Sequence, residues 1–214
     1  REMQKIDYLP YLDGLRCISI VLVLFYHAEI PFFSGGFIGV DIFFVISGYL
    51  ISQIFYKNFE KENFMKLFFE SRIRKLLPGI LLICIFSLPL SWFILFPDEI
   101  INFSNSLIGS SLFFSNFIFY LQSNYFDKIS INIPLLHTWS LAIEIQFYII
   151  FSLLFFLTLR FGNRVKFTLL LSLILILFIL SYYFSTHYLR LENFYFPLPR
   201  FWEFLIGVLI FVCQ

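Results

Sequence analysis

Arg16 and His27 stand eleven residues apart in the apolar run GLRCISIVLVLFYHAEIPFF. At 100° per residue a helix places them on one stripe, three turns plus about 20° apart and roughly 16 Å along the axis. A guanidinium at the mouth of such a groove suits a phosphate, and an imidazole deeper within it suits proton transfer near neutral pH. The sequence leaves a plainer alternative open, in which Arg16 reaches to the membrane surface and His27 bonds a neighbouring helix.

An ionisable group inside a membrane segment costs on the order of 2.5–3.5 kcal/mol, so each one needs a partner, a wet cavity or a task. Three further segments carry such groups. In GGFIGVDIFFVISGYLIS, Asp41 is open to two readings, as a partner for a catalytic cation or as a carboxylate holding the second helix to the first. Gly35, Gly36, Gly39 and Gly48 of that segment permit close helix approach. In SRIRKLLPG, Arg72 and Lys75 fall one turn apart with Arg74 between them, and Pro78 is placed to open the helix that follows. Such a basic turn is either a topology signal or a site for an anionic ligand such as a nucleotide phosphate. In HTWSLAIEIQFYIIF, His137, Trp139 and Ser140 stand at the outer lip, and Glu144 lies inside the helix on the same face as Ser140. Together these residues describe a polar chamber entered from both sides and basic at its cytoplasmic end.

The elements that must hold this chamber are helices in a membrane. The 214 residues are 60% hydrophobic and 22% aromatic with 14% charged, a balance no ordinary soluble domain covers with polar surface. Alternating polar and apolar strands are absent, which argues against an outer-membrane barrel and points to an all-α bundle. The hydropathy pattern predicts six spans, at 15–32, 36–55, 76–96, 138–159, 167–186 and 201–214, with 107–121 as a re-entrant or protein-buried helix, or a seventh span. Six cations in 56–75, with Arg1, Lys5 and Arg16, place the N-terminus and that connection in the cytoplasm. No basic domain invites nucleic acid, and Cys17, Cys84 and Cys213 have the spacing of neither a disulfide framework nor a zinc site.

At these residues the chain resembles the membrane-bound acyltransferase 3 family. YLDGLRCISIVLVLFYH resembles its opening motif, an Arg followed by a His, and GGFIGVDIFFVISGYLIS its second-helix signature. HTWSLAIEIQFY and FPLPRFWEFLIGVLI are similar to its Trp-Ser-Leu and Arg-x-Trp-Glu blocks. The resemblance covers nearly the whole chain and departs at Lys75, where the family commonly has a second Arg. Because family members continue with further helices, the expectation is that residues 1–214 are the N-terminal part of a membrane acyltransferase domain, cut off at the C-terminus.

The resemblance implies a bacterial inner-membrane O-acyltransferase. Its donor is cytoplasmic acetyl-CoA, and its acceptor is a hydroxyl of a surface glycan such as lipopolysaccharide O-antigen or peptidoglycan. No cofactor is held permanently, and the other partners are lipids. On that footing His27, Glu144 and Asp41 are the catalytic candidates, and Arg16, Arg72, Arg74 and Lys75 hold the donor phosphates. His137, Trp139 and Ser140 line the acceptor entrance, and no metal is involved. A proton-coupled transporter using Arg16, His27, Asp41 and Glu144 is the rival reading of the same groups.

Overall fold

The computed structural model describes residues 9–125, 135–187 and 189–214, and among these the chain is all-helical, with no strand. Arg1 and Lys5 lie outside the described residues. Helix α1 (Pro10–His27) carries Pro10 in its first turn, where the missing N–H loses no helical bond. It gives way at Ala28 to a connection in which Glu29 and Phe32 take positive φ.

Helix α2 (Ile38–Asn58) is the spine, and the glycines within it and in the turn before it decide what packs on it. A Cβ at Gly36 would stand 2.2 Å from the Leu22 carbonyl oxygen of α1, and one at Gly39 2.4 Å from that of Ser19. On another face, a Cβ at Gly48 would lie 1.9 Å from the Phe204 carbonyl oxygen of α9 (Phe201–Val212). α9 reciprocates, because a Cβ at Gly207 would lie 2.0 Å from the Val45 carbonyl oxygen. Close approach without side chains gives the van der Waals contact that holds helices together in lipid, where no hydrophobic driving force operates between them. Gly35 takes no part, since nothing lies within 4 Å of its position.

Helix α3 (Phe64–Ile94) runs for 31 residues and absorbs much of the expected basic connection. Asn63, at φ 59°, turns the chain, and Phe64 and Phe68 then pack edge-on against Phe55 of α2 with ring centroids 4.9 and 5.1 Å away. That packing starts the helix well before its apolar part. Pro78 consequently lies inside α3 instead of opening it, and leaves the Arg74 carbonyl without its usual helical donor.

The stretch 107–121 is not one helix. It is divided between α4 (Pro97–Ser111) and α5 (Ser115–Tyr125) by a turn in which Phe113 adopts φ 56°. At 1.5 Å per residue the two reach about 22 and 16 Å, each short of a hydrocarbon core of roughly 30 Å. Gln122 of α5 donates to the Asn102 carbonyl of α4 at 2.9 Å, so the pair folds back on itself.

Helices α6 (Thr138–Thr158), α7 (Asn163–Thr186) and the short α8 (Arg190–Tyr195) follow, and a 3-10 turn, Leu198–Arg200, leads into α9. Among the described residues, four helices (α2, α3, α6 and α7) are long and apolar enough to cross a membrane. Of the other two expected spans, α1 has 18 residues with Asp13 and Arg16 near its start, and α9 has 12. Phe55, Phe147 and Phe204 fill the centre, while residues such as Leu82, Phe86 and Phe93 of α3 stand exposed, as a lipid-facing surface requires.

Candidate functional site

A cavity of about 430 Å³ lies between α1, α2, α3 and α6. Arg16, Arg72 and Lys75 give it three cations, while Ser47, Ser140, Glu144 and Tyr148 supply hydroxyls and one carboxylate. The remaining lining, including Val23, Leu24 and Phe44, is apolar. Helical spacing sorts the basic turn: Arg72 and Lys75 share the cavity face, whereas Arg74, about 200° round from Arg72, points away. Arg74 bonds Glu70 at 2.5 Å with most of its side chain exposed. Arg72 lays its guanidinium over the rings of Tyr148 and Phe68, 5.3 and 5.5 Å from their centroids. Arg16 has a long 3.4 Å contact to Asp13, weak at a half-exposed site.

Glu144 is the centre of the polar wall. Ser47 of α2 donates to its Oε1 at 2.5 Å, and the Tyr148 hydroxyl donates to the same oxygen. The sequence reading did not single out Ser47 or Tyr148. Tyr148 carried a signal, since it lies one turn past Glu144 on the same face. Ser47 carried none beyond its place among glycines.

His27 does not line this cavity. It is exposed one turn beyond Val23, and its Nδ1 stands 2.8 Å from the Val23 carbonyl oxygen. A carbonyl accepts only, so Nδ1 bears the proton of the neutral ring and Nε2 is left with a free lone pair. His137 lies near enough to feel it. Partial burial, and then the charge of a protonated His27, hold His137 below the usual imidazole range. Ser140 of the cavity wall donates to the His137 carbonyl at 3.2 Å, so His137 lies next to a lining residue along the chain, as His27 does one turn past Val23.

Asp41 and Trp139 belong to a separate cluster. Arg200 Nη1 lies 3.1 Å from Asp41 and 3.0 Å from Glu203, and its guanidinium sits over Trp139 and Phe194, 5.8 and 5.4 Å from their ring centroids. Trp139 is buried between Phe44 and Phe194 and does not line the cavity. Asp41 does hold a cation, but the helix it fastens is α9 and not α1. The charged pair Arg200-x-x-Glu203 inside an apolar run was the available signal for this cluster. Among the described residues, no group of three or more His, Cys, Asp or Glu side chains is arranged to hold a metal ion.

Comparison with known proteins gives the chain relatives. The acyltransferase domain of the acyltransferase 3 family matches residues 9–212. The O-acetyltransferase OatA of Staphylococcus aureus strain NCTC 8325 is 40% identical over 169 residues, which are 76% of this chain and 27% of that protein. A further protein of strain COL, provisionally named an O-acetyltransferase, is 38% identical over 156 residues, 72% of this chain and 26% of its own length. The chain thus spans about a quarter of these relatives. No solved structure matches it.

Proposed function

This chain belongs to the acyltransferase 3 family, and on that premise we propose that it forms the acyl-transferring membrane part of an O-acetyltransferase of the bacterial inner membrane. The donor is acetyl-CoA, bound from the cytoplasm, and the acceptor is a hydroxyl of a surface glycan such as lipopolysaccharide O-antigen or peptidoglycan. The N-terminus is cytoplasmic.

One observation carries the reading: a single cavity joins Arg16, Arg72 and Lys75 to Glu144 and Ser140. The three cations suit the donor phosphates, and the fork geometry of Arg16 and Arg72 favours oxygen pairs where Lys75 supplies a point charge. The apolar stretch between them and Ser140 suits the uncharged arm that bears the thioester. His27, whose Nε2 keeps a free lone pair, takes the proton of the acceptor hydroxyl, and His137 and Ser140 line that approach. Arg74, turned away, has no part in donor binding.

The test is a reconstitution. Full-length protein in liposomes receives acetyl-labelled acetyl-CoA on the donor side, with peptidoglycan or O-antigen as acceptor in parallel samples. Base-labile acetyl on a glycan, lost in His27→Ala, is the expected result. A folded, inserted protein that leaves acetyl-CoA intact with both acceptors rejects the reading.

A further inference from the structure

We infer that Ser47 is an acyl carrier, taking the acetyl group from the thioester before the sugar receives it, with Glu144 as its base. The inference rests on the acyl-transfer reading above. Three observations lead to it.

The first is how the hydroxyl is spent. A serine inside a helix ordinarily bonds back to a carbonyl of its own preceding turn. Ser19, Ser52, Ser111, Ser123 and Ser152 all do so, at 2.5–2.8 Å. Ser47 does not. It bridges instead to Glu144, 97 residues away on α6, at 2.5 Å, and both groups line the cavity. A hydroxyl held by a carboxylate within hydrogen-bond reach is the nucleophile-and-base pair that covalent catalysis needs.

The second is what faces the pair. Arg72 and Lys75 line the same cavity, so the space that holds Ser47 and Glu144 is the one the donor enters. Arg72 is additionally steadied over Tyr148, whose hydroxyl shares the Glu144 oxygen with Ser47. The third is where His27 is. It stands outside the lining, with one ring nitrogen occupied by its own helix, so the base inside the cavity is Glu144.

The step balances without an outside reagent. Ser47 Oγ attacks the thioester carbonyl carbon as Glu144 takes the hydroxyl proton. The carbon–sulfur bond breaks, the thiolate takes that proton from Glu144, and coenzyme A leaves as the free thiol with an ester on Ser47. A sugar hydroxyl entering past Ser140 then gives its proton to His27 Nε2 and attacks that ester carbonyl. The ester bond to Ser47 Oγ breaks, the oxygen takes up a proton that water delivers through Glu144, and His27 returns its proton to water.

The experiment uses full-length protein in lipid nanodiscs with acetyl-labelled acetyl-CoA, first without and then with acceptor glycan, followed by acid quench and peptide mass spectrometry. Without acceptor, label accumulates on the peptide holding Ser47 and is chased off when glycan is added. Ser47→Ala carries no label and loses roughly a hundredfold or more in transfer. Ser47→Cys, which keeps a nucleophile, recovers label as a hydroxylamine-sensitive thioester. Label on another side chain, absence of label while glycan is acetylated, or near-normal transfer by Ser47→Ala overturns the assignment. If wild type releases no free coenzyme A with any acceptor, the acyl-transfer reading falls and this inference with it. Equal thermal stability of Ser47→Ala and wild type separates lost chemistry from lost fold. A lower stability in Ser47→Ala with Ser47→Cys inactive and unlabelled also overturns it, because the hydroxyl then only holds Glu144.

Discussion

Arg200 reaches back 159 residues to Asp41, and the same nitrogen that meets Asp41 at 3.1 Å meets Glu203 at 3.0 Å. One cation thus serves two carboxylates, one of them almost wholly buried. Removing the cation strands both charges, and breaking a buried pair on one side ordinarily costs about 3–5 kcal/mol. Asp41 keeps some solvent, which places the loss toward the lower end. Arg200→Met therefore lowers stability by about 3 kcal/mol, read as the unfolding midpoint in detergent. The triple variant with Asp41→Asn and Glu203→Gln recovers most of it. An Arg200→Met protein as stable as wild type contradicts the ion cluster.

Helix approach at the spine makes a contrast among glycines. Gly48→Ala and Gly207→Ala each put a methyl within 2.0 Å of a backbone oxygen of the facing helix, so folded yield falls sharply in both. Gly79 lies within α3 with nothing inside 4 Å of its would-be Cβ. Gly79→Ala raises stability by about 0.5–1 kcal/mol through helix propensity alone. Comparable yields for all three variants in fluorescence-detected size-exclusion runs would show that α2 and α9 do not meet as described.

The basic turn separates into two roles. Arg72→Ala raises the KM for acetyl-CoA on the order of tenfold to a hundredfold, the effect of losing a charge-assisted phosphate contact. Arg74→Ala, already occupied by Glu70 on the outward side, changes it less than about twofold. Steady-state rates against donor concentration decide the matter, and equal effects at the two positions would count against the cavity as the donor site.

His137 titrates below an ordinary histidine, and its neighbour contributes to that. In His27→Gln the His137 midpoint moves upward, observable in a side-chain NMR titration of histidine-labelled protein. The linkage has a sign. Since the unfolded ring binds its proton at about pH 6.5 and the native ring only at lower pH, acidification through that range favours the unfolded chain. A His137 midpoint unmoved by the substitution would separate the two imidazoles.

Much of the site was legible because helical rotation is fixed. The spacing of Arg72 and Lys75, and of Ser140 and Glu144, placed each pair on one face, and each pair lines the cavity. The same arithmetic sends Arg74 elsewhere, although its charge had grouped it with the others. What could not be read depends on distant segments meeting. Nothing near Asp41 announces Arg200, and the direction of the Ser47 hydroxyl is decided by a carboxylate on α6. The break after Ser111 was hidden for another reason. Its left-handed residue is Phe113, where a glycine or asparagine would have marked the turn.

The joining of α2 to α9 also orders events on the ribosome. Asp41 is synthesised 159 residues ahead of the arginine that neutralises it, a wait on the order of ten to thirty seconds at ~5–20 residues per second. Through that interval the nascent second helix sits in or beside the bilayer with a bare glycine groove and an uncompensated carboxylate. The insertion machinery, or water at the lateral gate, must shelter it until its partner emerges.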